Sequence, residues 1–185
     1  MKNITDIELL AEAKNFDPNA LALIYDRYST ALYQYAYRQT GSQQMAEDCV
    51  SETFSRFLHA LKRKKRPRKA LRPYLYRIGH NWITDQYRKP GPETGLDEKI
   101  EIIEEDKPGT EAQIIQQETA KRLRKHLQKL NPDQRQVITL KHLDGMSNAE
   151  AAEIMGRNVG SVKALNSRAL NNLRRFIQPD EQDQL

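Results

Sequence analysis

Apolar residues recur along most of the chain at intervals of three and four, the period of a helix with one buried face. Leu21, Ile24, Tyr25, Tyr28, Leu32, Tyr35 and Ala36 form the first such stripe; Pro18 opens it and Gly41 stops it. A second helix is predicted from about Ser42 to Leu61, with Val50, Phe54, Phe57, Leu58 and Leu61 facing the core. A third covers 70–88, with Pro73 in its first turn. Its inner stripe is Leu71, Leu75, Ile78 and Trp82, and Arg77, Asn81, Asp85 and Arg88 occupy the other face. KPGPETG (89–95) interrupts the pattern with two prolines and two glycines, as a linker does. From there to Gly109 few residues suit a core, beyond a short turn of helix around Ile100–Ile103. Helix resumes from about Thr110 to Leu130, and Pro132 opens another that holds Val137, Ile138 and Leu140. Neither a period-two alternation nor an internal repeat is present, so an all-α chain is predicted.

Residues 144–177 carry the sharpest local signal. Asp144-Gly145 is a turn, and Ser147 with Glu150 makes a capping box ahead of Ala151, Ala152 and Ile154. Gly156 suits a left-handed helix end, and Asn158 suits the cap of the next helix, which would bury Val162, Leu165, Ala169, Leu173 and Phe176. A short helix, a tight turn and a longer basic helix make a helix-turn-helix unit, whose second helix enters the major groove.

Composition changes this picture in two ways. Hydrophobic residues make up 38% of the 185-residue chain, which favours two modest helical cores over one large one. Charge is segregated beneath a net +5: residues 1–88 hold 15 basic and 9 acidic side chains, 89–119 hold 3 and 9, and 120–185 hold 12 and 7. Two basic lobes joined by an acidic segment suggest a polyanionic partner. The single cysteine, Cys49, allows no internal disulfide and suits a reducing compartment. No apolar run approaches a membrane span, and the N-terminus lacks the apolar core of a signal peptide, so a cytoplasmic protein without membrane insertion is expected.

The candidate chemistry is recognition. Ser161, Lys163, Ala164, Ser167 and Arg168 fall away from the apolar stripe of the last helix; arginine and lysine can read guanine edges, though a plain surface helix with solvated cations has the same spacing. On helix 70–88, Arg77, Asn81, Asp85 and Arg88 lie among Tyr74, Tyr76, Trp82 and Tyr87. Cations beside aromatics suit single-stranded DNA, while the aromatics equally suit a core and Asp85 with Arg88 an i,i+3 pair. KRKKRPRK (62–69) has seven cations in eight positions and suits phosphate or a targeting signal. Glu47, Asp48 and Glu52 form an acidic patch on the second helix, either a docking face or an ordinary exposed face with a Glu52–Arg56 pair. The four histidines are scattered away from metal-ligand spacing with Cys49, and neither a phosphate-binding glycine loop nor a hydrolase elbow occurs, so no metal, cofactor or catalytic residue is predicted.

Three segments, in order, resemble the extracytoplasmic-function sigma factors of the sigma-70 family. AEDCVSETFSRFLHAL (46–61) is similar to the segment that binds the β′ clamp helices of RNA polymerase, RPYLYRIGHNWITDQYRK (72–89) to the one that reads and melts the −10 element, and residues 130–175 to the domain that reads the −35 element. The resemblance implies a non-enzymatic sigma factor with two small helical domains, a region 2-like bundle over 1–89 and a region 4-like helix-turn-helix over 111–178, joined by a flexible acidic linker over 90–110 and followed by a tail over 179–185. It implies polymerase contacts at Asp48, Ser51, Glu52 and Phe54, −10 contacts at Lys64, Lys65, Arg66, Arg77, Asn81, Asp85 and Arg88, and −35 contacts at Ser161, Lys163, Ala164, Ser167 and Arg168. The implied partners are core RNA polymerase through its β′ clamp helices and β flap, promoter DNA and an anti-sigma factor. Ser51 stands where the family has glutamine, and the loop ahead of helix 70–88 is far more basic than the family's. A stand-alone helix-turn-helix regulator would use only the C-terminal half and would need a sensor module, which the N-terminal half does not resemble.

Overall fold

The computed structural model describes residues 4–63, 70–88 and 111–177, and every regular element among them is helical. Lys64, Lys65 and Arg66, the turn expected at 100–103 and the acidic segment lie outside the described residues.

Helix α1 (Asp6–Ala13) was not visible in the apolar pattern, but a capping box starts it. Thr5 Oγ1 accepts from the Glu8 N–H at 3.3 Å, and Glu8 Oε2 accepts from the Thr5 N–H at 2.7 Å. Its buried side is Leu9, Leu10 and Ala13. Helix α2 (Pro18–Thr40) begins as predicted: Asp17 caps it by accepting from the Ala20 N–H at 2.8 Å, Pro18 fills the first turn, and Gly41 ends it at φ 72°. Ser42 caps α3 (Gln43–Lys62), and α4 (Leu71–Arg88) completes the N-terminal bundle. Ile24, Leu32 and Tyr35 of α2, Cys49 and Phe57 of α3, and Leu71, Leu75 and Tyr76 of α4 are essentially inaccessible. Truncating any one of the large aliphatic or aromatic side chains to alanine should cost about 2–5 kcal/mol. Where α3 and α4 approach most closely, Gly79 takes part: a Cβ there would lie 3.3 Å from Cys49 Sγ.

The C-terminal half is built from α5 (Glu111–Gln128), α6 (Pro132–Ile138), a turn of π-helix (Thr139–Leu143), α7 (Asn148–Met155) and α8 (Val159–Ile177). Both expected caps of the helix-turn-helix are present. Ser147 and Glu150 form the capping box of α7, Gly156 ends it at φ 63°, and Asn158 Oδ1 accepts from the Ser161 N–H at 2.8 Å. The helix expected to run from Pro132 through Leu140 instead widens into the π turn after Ile138.

Four expectations are corrected by packing. Tyr25, placed in the core stripe of α2, is 48% exposed and tilts against Phe54 with ring centroids 4.8 Å apart. Tyr76, grouped with the aromatics available to DNA, is wholly buried against Tyr35. Leu58, placed in the core stripe of α3, is 37% exposed. The two helical halves also pack on each other, with α4 lying against α7, and α2 against α5 and α6. The composition could not show this, because the joint between the halves is lined largely by polar side chains.

Candidate nucleic-acid interface

Helix α8 presents its candidate reading face to solvent. Val162, Leu165 and Ala169 are buried against α6 and α7, so Lys163, Ala164, Ser167 and Arg168 point outward by helical geometry, and all four are exposed; Ser161 is half-buried. Asn166, between them, is turned inward and its Oδ1 lies 2.9 Å from His142 Nε2, which fixes the helix to the π turn. Asp133 and Arg157, paired at 2.5 Å, tie the start of α6 to the turn before α8. The arrangement leaves two cations and two small residues on one exposed face of α8.

On α4, Arg77, Asn81, Asp85 and Arg88 are all exposed, as their spacing predicts. Of the aromatics beside them only Tyr87, 60% exposed, is freely open; Tyr74 and Trp82 are half-buried. An aromatic-rich stacking platform is therefore reduced, on this helix, to a polar face flanked by Tyr87, Trp82 and Tyr74. His80, one residue before Asn81, faces the other way. Burial pushes its imidazole down to about 4, so it is neutral, and its Nδ1 lies 2.6 Å from Gln136 Nε2.

The acidic face of α3 is also open. Asp48 and Ser51 are exposed, while Glu52 and Phe54 are half-buried. Glu52 Oε1 accepts from Arg56 Nε at 2.7 Å in an i,i+4 pair, with both side chains about 40% exposed. The pair leaves Asp48 and the Tyr25–Phe54 aromatic contact on the accessible surface beside it.

Sequence reading missed the residues at the joint. Asp144 was only a turn residue there, yet its side chain is 7% exposed and pairs with Arg38 at 3.2 Å, while its carbonyl accepts from Arg72. Burial raises the Asp144 carboxyl to about 6 despite those two guanidinium groups. Arg135 donates to the carbonyl of Gln39 and, at 3.2 Å, to those of Leu127 and Leu130. Gln136 Nε2 also donates to the Tyr35 hydroxyl at 3.2 Å. A polar residue spaced into an apolar stripe, as Gln136 is beside Val137 and Ile138, was the only available hint. Among the described residues no cluster of side chains could hold a metal ion, and no helix is long and apolar enough to cross a membrane.

Comparison with known proteins covers both candidate helices. The model of sigma-70 region 2 matches residues 24–91, which span α2 to α4, and that of sigma-70, region 4 matches 120–173, which span most of α5 to α8. The ECF RNA polymerase sigma factor SigW of Bacillus subtilis is 31% identical over 178 residues, covering 91% of this chain and 95% of SigW. BldN of Streptomyces coelicolor, another ECF sigma factor, is 30% identical; 94% of this chain matches 66% of its length. A solved structure of CnrH in complex with the cytosolic domain of CnrY superposes with a TM-score of 0.72 at 28% identity, over 95% of this chain and 99% of CnrH. With both sigma-70 regions in order on one all-helical chain, and with SigW matched over nearly its whole length, this protein belongs to the ECF branch of the sigma-70 family of RNA polymerase sigma factors.

Proposed function

We propose that the chain binds core RNA polymerase through α3 and carries it to promoters that α4 reads at the −10 element and α8 at the −35 element. The observation that supports this most directly is the exposure of both reading faces on helices whose opposite sides are locked in the core. On α8, Lys163 and Arg168 can donate to base edges or phosphates, with Ala164 and Ser167 leaving room for close approach. On α4, the Asn81 amide has both donors and an acceptor and can read the edge of an unstacked base, with Arg77 and Arg88 on flanking phosphates and Asp85 on the same face. Lys64, Lys65 and Arg66 hold backbone phosphates; each neutralised phosphate adds about 0.7–0.9 to the salt slope of log K. Asp48, Ser51, Glu52 and Phe54 meet the β′ clamp helices, and the region 4 half meets the β flap. Residues 1–89 and 111–178 act as the two functional domains. An anti-sigma factor holds the chain in reserve, as the similar structure of the sigma factor RpoE in complex with the anti-sigma factor NepR from Bartonella quintana suggests by likeness. The chain works in the cytoplasm, recruits catalysis without performing it and needs no cofactor.

The test is transcription in vitro with core polymerase on a promoter library. The chain should direct initiation from a subset that shares two sequence elements, and Asn81→Ala should slow open-complex formation and weaken discrimination at one −10 position. Uniform initiation across the library, equal to that of core polymerase alone, would refute the assignment.

A further inference from the structure

The π turn sets one ionisable side chain directly beside α8. His142 is exposed on that turn, and its Nε2 lies 2.9 Å from Asn166 Oδ1. An amide oxygen only accepts, so Nε2 carries the hydrogen and donates it. In the neutral ring Nδ1 is then a bare acceptor, and it becomes a donor only in the imidazolium. Asn166 thereby decides in which protonation state the second nitrogen can donate.

The position of the ring selects its partner. At about 100° per residue, Asn166 falls on the border between the buried stripe of Val162, Leu165 and Ala169 and the exposed face of Lys163 and Ser167, and it is half-buried accordingly. His142 is thus held at the flank of α8, beside the face that meets base edges. A helix with its side chains is about 10–12 Å across, and the major groove of B-form DNA is about 12 Å wide. A side chain at the flank of a helix lying in that groove meets the wall of the groove, which is phosphate.

The charged groups around the turn are engaged elsewhere. Lys141 donates to the Met146 carbonyl at 2.9 Å, and Asp144 is paired with Arg38 of α2. On α6, Asp133 is paired with Arg157 and Arg135 donates to backbone carbonyls. On α7, Glu150 is committed to its capping box and Glu153 lies in the last turn. Helix α8 brings Lys163, one turn before Asn166, and has no acidic residue from Val159 to Ile177. Among the described residues His142 forms no ion pair with a carboxylate, so a phosphate would be the first anion to meet its ring.

We propose that His142 is a further DNA-contacting residue, that its contact with a phosphate beside the −35 element takes up a proton, and that Asn166 is the positioning residue that couples the two. The inference rests on the assignment of α8 to that element. Binding that takes up a proton strengthens as pH falls, and imidazole is the side chain that changes charge between pH 5 and 8. The chain then engages its promoters more tightly as its surroundings acidify.

The test is holoenzyme–promoter affinity at pH 8, 7 and 6, on the strongest promoter that the library assay selects. Wild type is compared with His142→Gln, His142→Lys and Asn166→Leu, and since His142 is exposed its substitutions leave the core intact. Reading each variant as a ratio to wild type with the same core polymerase cancels the pH response of the polymerase and of His80 and Asp144. The ratio of wild-type to His142→Gln affinity should rise on the order of tenfold from pH 8 to pH 6. His142→Lys, a cation throughout this range, should exceed His142→Gln by the same factor at every pH. Asn166→Leu frees the neutral ring to turn its N–H towards the phosphate, so its pH dependence should shrink, whereas a merely structural role would lower affinity equally at all three values. A wild-type to His142→Gln ratio that does not change with pH overturns the proposal, as does His142→Lys binding no tighter than His142→Gln. If the wild-type holoenzyme selects no promoter, the assignment of α8 falls and this inference with it; if it selects promoters and the ratio stays flat, only the proton link falls.

Discussion

Asp144→Asn converts the buried carboxylate of the joint into a permanent neutral isostere, and its effect can be worked through in advance. In the folded chain the carboxyl titrates at about 6, against an ordinary 3.8, because burial outweighs the attraction of Arg38 and Arg72. A raised carboxyl pKa means that the ionised form opposes folding: the penalty is full above the folded pKa and is relieved as pH falls from about 6 towards 3.8. The rise from 3.8 to about 6 corresponds to about 3 kcal/mol at pH 7, shrinking to about 1.5 at pH 5 and about 0.5 at pH 4. Asparagine removes that penalty while keeping an oxygen for Arg38, so the variant should be more stable than the wild type by up to those amounts, less whatever Arg38 loses when its charged partner is removed. His80 supplies the control with opposite sign. Its folded value of about 4 against 6.5 keeps it neutral in the fold, a contribution complete above 6.5 and lost as pH falls towards 4. Near pH 5 the folded chain therefore holds about one proton of the pair, on Asp144, and the unfolded chain about one, on His80, so their pH dependences cancel in the wild type. In Asp144→Asn only the His80 slope remains, and stability should fall with acidification more steeply than in the wild type. Urea unfolding followed by far-ultraviolet circular dichroism at pH 7, 6, 5 and 4, with fluorescence of the half-buried Trp82 as a second probe, measures both curves. A variant less stable than the wild type by 1 kcal/mol or more at pH 7, by an amount independent of pH, would show Asp144 to be a net stabilising ion pair and the desolvation argument to be wrong.

Asp48→Lys with Glu52→Lys should abolish binding to core polymerase in a pull-down while changing unfolding free energy by less than about 1 kcal/mol, since both side chains are at least partly solvated; retained affinity would remove this face from the interface. Arg168→Ala should weaken promoter binding by about 1–3 kcal/mol and relax preference at one −35 position if the contact is bidentate to guanine. A loss equal across all sequences in a promoter-variant binding assay would make it a phosphate contact instead. Gly79→Ala should be destabilising by about 1 kcal/mol, because the new Cβ meets Cys49 Sγ at 3.3 Å in a tightly packed helix pair. Added to Cys49→Ala, the same change should cost less, because only the Thr53 Oγ1 contact, also at 3.3 Å, remains, and additive effects in the double-mutant cycle would show that the two positions do not compete for space.

Local rules written into single segments were enough to determine most of the helices and both ends of the helix-turn-helix. Asp17-Pro18, Ser42 and Ser147 with Glu150 act within one helical turn, and Gly41 and Gly156 end helices by a backbone conformation that other residues rarely adopt, so they are legible without knowing the fold. Helix α1 was equally legible in its Thr5–Glu8 box; its apolar residues were too few to draw attention. The exposed faces of α4 and α8 followed from spacing too, because a helix that buries one side must show the other. What spacing could not decide was which partner each buried side meets. Whether Tyr25 or Tyr76 goes inside depends on the neighbouring helix: Tyr35 packs on Tyr76 in the core, while Tyr25, beside Phe54, is left 48% exposed. The joint is the extreme case. Arg38 and Asp144 are 106 residues apart, and Gln136 and His80 56 apart; each is an unremarkable polar residue of its own segment. Only when the two halves pack together do they acquire these partners, and Asp144 and His80 desolvate and shift their protonation, because burial and Coulomb attraction depend on distance in space and are silent along the chain.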